Sequence, residues 1–135
     1  MADGKRPTVA TVFGVLNVIF GGLGVLGVMG AIASLSVAPI LGAIQLGNVA
    51  GSAVVLFSGI LLLTNKKNAL SVTNLAILIS IGLTLALVVY LIATLGIVGV
   101  IASIFAVILG GVYPLLVFLL VLRNETVKSF YNSQS

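Results

Sequence analysis

Two long stretches of this chain, residues 7–65 and 68–122, contain no Asp, Glu, Lys, Arg, His or Cys. All formal charge is confined to three short segments: Asp3, Lys5 and Arg6; Lys66 and Lys67; Arg123, Glu125 and Lys128. A water-facing surface needs charge for hydration, and about a quarter of the residues in a soluble domain carry it. Here the charged fraction is 6%, against 61% hydrophobic residues. Such a chain cannot clothe a soluble globule without very large exposed apolar patches. Lipid is the solvent its composition requires.

A helix needs about 20 apolar residues to cross the hydrocarbon core, so each run accommodates two crossings. Turn-forming residues mark the expected breaks. Ala-Ser-Leu-Ser-Val-Ala-Pro at 33–39 interrupts the first run, and Pro39 suits the first turn of the next helix. Ala-Thr-Leu-Gly at 93–96 is the best break in the second run. The spans are predicted at about residues 9–30, 40–63, 69–93 and 96–122. Barrel strands alternate apolar and polar positions, whereas residues 115–122 are apolar on every side. Helices satisfy their backbone within each segment. The expected fold is all-α: a single domain forming an integral membrane four-helix bundle of two helical hairpins. Lys5-Arg6, an apolar stretch and Ala31-Ile32-Ala33 have the outline of a secretory signal. That stretch exceeds the roughly 7–15 residues of such signals, so it is expected to remain as the first span.

Basic residues collect on the cytoplasmic side of a membrane. With four spans, the N-terminal segment, the second loop and the C-terminal segment share one face. Lys5, Arg6, Lys66, Lys67, Arg123 and Lys128 all lie in those segments, and the other two loops carry no charge. The expected orientation puts both termini in the cytoplasm, with these six residues near anionic headgroups. Phe130 and Tyr131 are expected to anchor the C-terminal tail at that headgroup layer. No basic stretch interleaved with aromatics supports nucleic-acid binding.

Absent residue types restrict the chemistry. Without cysteine there is no disulfide or thiolate nucleophile, and without histidine the common metal ligand and near-neutral general base are gone. No metal or cofactor is expected. An intramembrane acid or base is the usual mark of a proton relay, pump or voltage sensor, and the spans hold none. The small multidrug exporters depend on a first-span carboxylate, which this chain lacks. An enzyme is not expected.

Helix association in lipid relies on close backbone approach and interhelical hydrogen bonds. Ala43, Gly47, Gly51 and Gly59 form a small-residue stripe in the second span, and Ala102, Ala106 and Gly110 one in the fourth. Gly14 supplies a small position in the first, whereas Gly21, Gly24, Gly27 and Gly30, spaced by three, are expected to spread around the helix. Uncharged polar residues within the spans are Asn17, Gln45, Asn48, Ser52 and Asn74, with Ser58, Ser80, Thr84 and Ser103. They are read mainly as interhelical or same-helix hydrogen bonds. The other reading is the lining of a small-solute path. Pro114, after Tyr113, should kink the fourth span near Gly110-Gly111.

The run PTVATVFGVLNVIFGG from Pro7, and YPLLVFLLVLRNETVKSF from Tyr113, resemble small uncharacterised bacterial four-span membrane proteins, notably those of planctomycete-like bacteria. The resemblance covers about a third of the chain and implies a multi-pass protein of the bacterial cytoplasmic membrane. It carries no activity. The functional expectation is a non-catalytic membrane subunit. It would pack against other membrane proteins or copies of itself, as a scaffold, accessory or assembly factor. The alternative is a homo-oligomeric channel or facilitator for a small neutral solute.

Overall fold

The computed structural model describes residues 5–134, with the backbone alone at Leu109; Asp3 lies outside the described residues. Helices account for all regular structure among them: α1 (Thr8–Val25), α2 (Val28–Val37), α3 (Pro39–Leu63), α4 (Ala69–Leu95), α5 (Ile97–Val117) and α6 (Glu125–Asn132). A π-helical turn, Phe118–Leu122, continues α5. Four stretches are long and apolar enough to cross a membrane: Thr8–Val37, Pro39–Leu63, Ala69–Leu95 and Ile97–Leu122.

Both expected breaks fall within the expected segments but are narrower, a single residue each. The segment 33–39 does not form a loop, because helix continues to Val37. Ser34 and Ser36 donate back to the Gly30 and Ala33 carbonyls at 3.0 and 2.8 Å, so their hydroxyls are absorbed by the helix. Only Ala38 leaves the helical region, at φ −139° and ψ 88°. The proline ring that follows disfavours helical backbone there. A further interruption, not expected from the sequence, falls at Leu26-Gly27, between α1 and α2. At the other hairpin, α4 runs to Leu95 and a single residue, Gly96 at φ 61°, reverses the chain. That left-handed backbone suits glycine.

Consecutive spans pack on one another: α1 and α2 on α3, α3 on α4, and α4 on α5. The α1–α3 contact is backbone to backbone. A Cβ on Gly59 would sit 2.7 Å from the Gly14 carbonyl oxygen and 2.8 Å from the Val18 nitrogen, and one on Gly21 would strike the backbone of Leu56. Gly21 therefore belongs to the seam with Gly14. The second-span stripe divides between two neighbours. A Cβ on Gly47 or Gly51 would meet Leu83 or Ile79 of α4, at 2.8 and 3.0 Å, whereas Gly59 faces α1. Twelve residues at about 100° each turn the helix by roughly 120° beyond whole turns, so the positions cannot share a face. Ala43 is exposed.

The apolar core sits at the charged end, where Ala10, Phe13, Leu62, Val117 and Val121 meet Val127, Phe130 and Tyr131 of α6. Here Phe130 and Tyr131, expected at the headgroup layer, are 1% and 0% exposed. Asn124 caps α6 by accepting from the Thr126 and Val127 amides at 2.9 and 3.2 Å. The i, i+3, i+4 spacing of Val127, Phe130 and Tyr131 then turns one apolar face inward.

The end of α3 joins these segments. A helix leaves its last four carbonyls without intrahelical donors, and all four find one here. Ile60 accepts from the Thr64 amide at 2.9 Å and Leu61 from the Lys66 amide at 3.1 Å. Leu62 accepts from the Tyr131 hydroxyl at 2.5 Å and Leu63 from the Arg6 guanidinium at 2.6 Å. Asn65 takes the left-handed conformation of a helix C-cap, φ 59°, and its side chain accepts from Arg6 at 2.9 Å. The first and last described segments thus close the same helix end.

Candidate functional site

Asn17 from α1, Ser58 from α3 and Tyr113 from α5 meet inside the molecule. The Tyr113 hydroxyl donates to Asn17 Oδ1. Asn17 Nδ2 donates to Ser58 Oγ at 3.0 Å, and the Ser58 hydroxyl donates to the Val55 carbonyl at 2.7 Å. Asn17 and Ser58 are 2% and 0% exposed, and no buried side-chain polar atom lacks a partner among the described residues. The local helices place these groups. The seam of Gly14, Gly21 and Gly59 brings α1 against α3, so that Asn17 and Ser58 come within reach. The Tyr113 ring packs against Phe13 and Phe20, with centroids 5.9 and 5.1 Å away. Asn17 is nine residues beyond the start of α1, about 14 Å along the helix, which is mid-span depth.

Two cavities flank this knot. One of about 330 Å³ lies on the side away from the charged end and is lined by Phe20, Gly21, Ser52, Val55, Ser80, Gly110, Tyr113 and Pro114. The other, about 20 Å³, lies toward the charged end, against Asn17, Thr73, Ala76, Ile77 and Val117. It has room for about one water. Pro114 borders both, and its ring removes the donor that the Gly110 carbonyl would otherwise take. Beyond the small cavity stand the buried side chains of Phe13, Leu62, Val117 and Val121. The larger cavity therefore ends at the Asn17–Tyr113 pair rather than continuing toward the charged end.

The other candidate polar residues separate. Ser52 lines the larger cavity. Asn48 is exposed on α3, two turns from Val55 and on the same helix face. Gln45 is half-buried one turn before it, and Asn74 is exposed on α4. Gln45, Asn48 and Asn74 make no side-chain hydrogen bond among the described residues. Thr73, Thr84, Thr94 and Ser103 donate back to carbonyls of their own helices at 2.6–2.9 Å. Ala102 and Ala106 are half-buried, and a Cβ on Gly110 would come within 2.7 Å of Thr84 Oγ1. Of the basic residues, Lys5, Lys66, Lys67 and Arg123 are exposed, and Lys128 lies 3.6 Å from Glu125. Arg6 is committed to the end of α3.

Sequence reasoning named Asn17, Ser58 and Tyr113 but did not join them. It missed α6, whose signals are the Asn124 cap and the apolar spacing after it. The knot holds donors and acceptors but no carboxylate, imidazole or amine, so it can order helices or a neutral polar molecule. The chain matches no protein-family model, and no curated protein or solved structure matches it.

Proposed function

We propose that the protein is a non-catalytic integral membrane subunit. In this reading its four spans form a bundle with both termini in the cytoplasm, and it assembles with other membrane-spanning chains or with copies of itself. The bacterial cytoplasmic membrane is the compartment that fits the one-sided basic residues. The carrying observation is Asn48, an exposed carboxamide without a hydrogen bond, nine residues or about 14 Å into α3. An unsatisfied amide at that depth is costly in hydrocarbon, and an interhelical hydrogen bond from a second chain removes the cost. Gln45, on the preceding turn, offers a second bond. Large apolar side chains cluster toward the same uncharged end, with Leu26, Met29, Val37 and Ile97 all at least 73% exposed.

Gentle detergent extraction from the native membrane followed by native mass spectrometry tests this reading. The expected result is a complex heavier than one chain that dissociates in the double variant Gln45→Leu/Asn48→Leu. A monodisperse single chain from the native membrane overturns it.

One observation favours the second reading, a facilitator for a small neutral solute. Asn48 and Ser52 lie on one helix face above the cavity of about 330 Å³. The same double variant separates the two, since a facilitator loses flux in proteoliposomes whether or not it assembles.

A further inference from the structure

The outer surface between α4 and α5 holds two adjoining hollows that share Asn74 and Phe118. At the charged end, about 520 Å³ is bordered by Leu70, Ser71, Leu122, Arg123, Lys128 and Asn132. Farther along, about 400 Å³ runs between Ile77, Leu78 and Ile81 of α4 and Gly111 and Leu115 of α5. Gly111 keeps that part open, with nothing within 4 Å of where its Cβ would stand.

The chemistry changes in a fixed order along this groove. Arg123 is exposed, and its guanidinium makes no hydrogen bond or ion pair among the described residues. Lys128 lies 3.6 Å from Glu125, whose side chain is 86% exposed, so that pair is weak and leaves the ammonium with donors to spare. Next comes Asn74, five residues or about 7 Å into α4, exposed and with no hydrogen bond to its side chain among the described residues. Beyond it the walls are apolar.

We infer that this groove binds one anionic glycerophospholipid. The phosphate lies between Arg123 and Lys128, the Asn74 amide donates to a glycerol ester carbonyl, and an acyl chain lies along Ile77, Leu78, Ile81 and Leu115. The order of cation, amide donor and apolar wall matches head, ester and chain. A free anion leaves Asn74 and the apolar wall unused. A simple alkyl chain leaves both cations unused.

The test is native mass spectrometry of the full chain released from nanodiscs of equimolar phosphatidylglycerol and phosphatidylcholine. The expected result is one retained lipid, predominantly phosphatidylglycerol. A basic side chain near an anionic surface is worth about fivefold, so Arg123→Gln/Lys128→Gln loses on the order of thirtyfold in that preference. Asn74→Leu lowers retention a few-fold for both lipids, and Gly111→Leu, which fills the groove, abolishes it with all charges intact. Helical circular dichroism verifies that each variant is folded. An equal loss of preference in Lys66→Gln/Lys67→Gln reveals a diffuse surface charge effect and overturns the inference. So does unchanged retention in Asn74→Leu and Gly111→Leu. Displacement of the lipid by inorganic phosphate, but not by chloride at matched ionic strength, or a second protein chain retained in the lipid's place, overturns it as well.

Discussion

The Tyr131 hydroxyl donates to the Leu62 carbonyl at 2.5 Å, joining α6 to the end of α3 across 69 residues of chain. Both residues are fully buried, so the carbonyl has no water to turn to when the phenol is absent. Tyr131→Phe keeps the ring packing against Phe130 and removes only the donor. An unmade bond at a buried acceptor costs about 1–3 kcal/mol. The expected outcome is faster amide hydrogen exchange throughout α6 and in the last turn of α3, with little change in α4 or α5.

The same phenol makes α6 docking sensitive to alkali. Burial pushes its pKa up to about 12, with the nearby Arg6 charge pulling the other way. Undocked, the tyrosine titrates near its ordinary value of about 10. Because the docked pKa is the higher one, the stabilisation is complete below about pH 10 and is lost as pH rises through about 12. Proteolysis of the C-terminal segment should accelerate across that window in the wild type. In Tyr131→Phe this alkaline step should vanish.

Backbone contact between α1 and α3 makes two glycines far less replaceable than their neighbours. Gly59→Ala places a methyl group 2.7 Å from the Gly14 carbonyl oxygen, and backbone cannot swing aside as a side chain can. The expected loss is about 1–3 kcal/mol or more, as for overpacking in general. Gly22→Ala is the control, since nothing lies within 4 Å of its Cβ position. Unfolding in detergent–denaturant mixtures should rank Gly59→Ala well below the wild type and Gly22→Ala level with it or slightly above.

Removing Asn17 breaks two hydrogen bonds at once. Asn17→Leu deprives the Tyr113 hydroxyl of its acceptor and Ser58 of a donor, although Ser58 keeps its bond to Val55. Interhelical bonds in membranes are worth about 0.6–2 kcal/mol each, so a loss of about 1–3 kcal/mol is expected. A double-mutant cycle with Tyr113→Phe should give a combined loss clearly smaller than the sum, because both substitutions break the same bond.

How much of this was legible in the sequence depends on which force sets each feature. Hydrocarbon enforces long apolar helices with internally bonded backbones, so four stretches long and apolar enough to cross a membrane were legible from two charge-free runs and the turn residues within them. Ser34 and Ser36 were misread as turn-formers, because their hydroxyls can serve the helix as well as interrupt it. The knot stayed hidden because Asn17, Ser58 and Tyr113 lie 41 and 96 residues apart along the chain. No local pattern gives the depth at which two helices register. The second-span stripe failed as one seam for a geometric reason, since four-residue spacing drifts around a 3.6-residue helix. In α6 the cap and the apolar spacing were readable, but eight residues barely alter a composition dominated by the spans.

The closing of α3 has a consequence for how the molecule is made. Its final carbonyls accept from Arg6 on one side and Tyr131 on the other. A ribosome supplies the first partner before the helix exists and the second only after two further long helices, α4 and α5, have been made. Until then the Leu62 carbonyl has no phenol to accept from, and the pair formed by α1 and α3 has one end unfinished. A chain stalled or truncated before residue 131 would thus carry all four long apolar stretches and still lack the bond that completes α3.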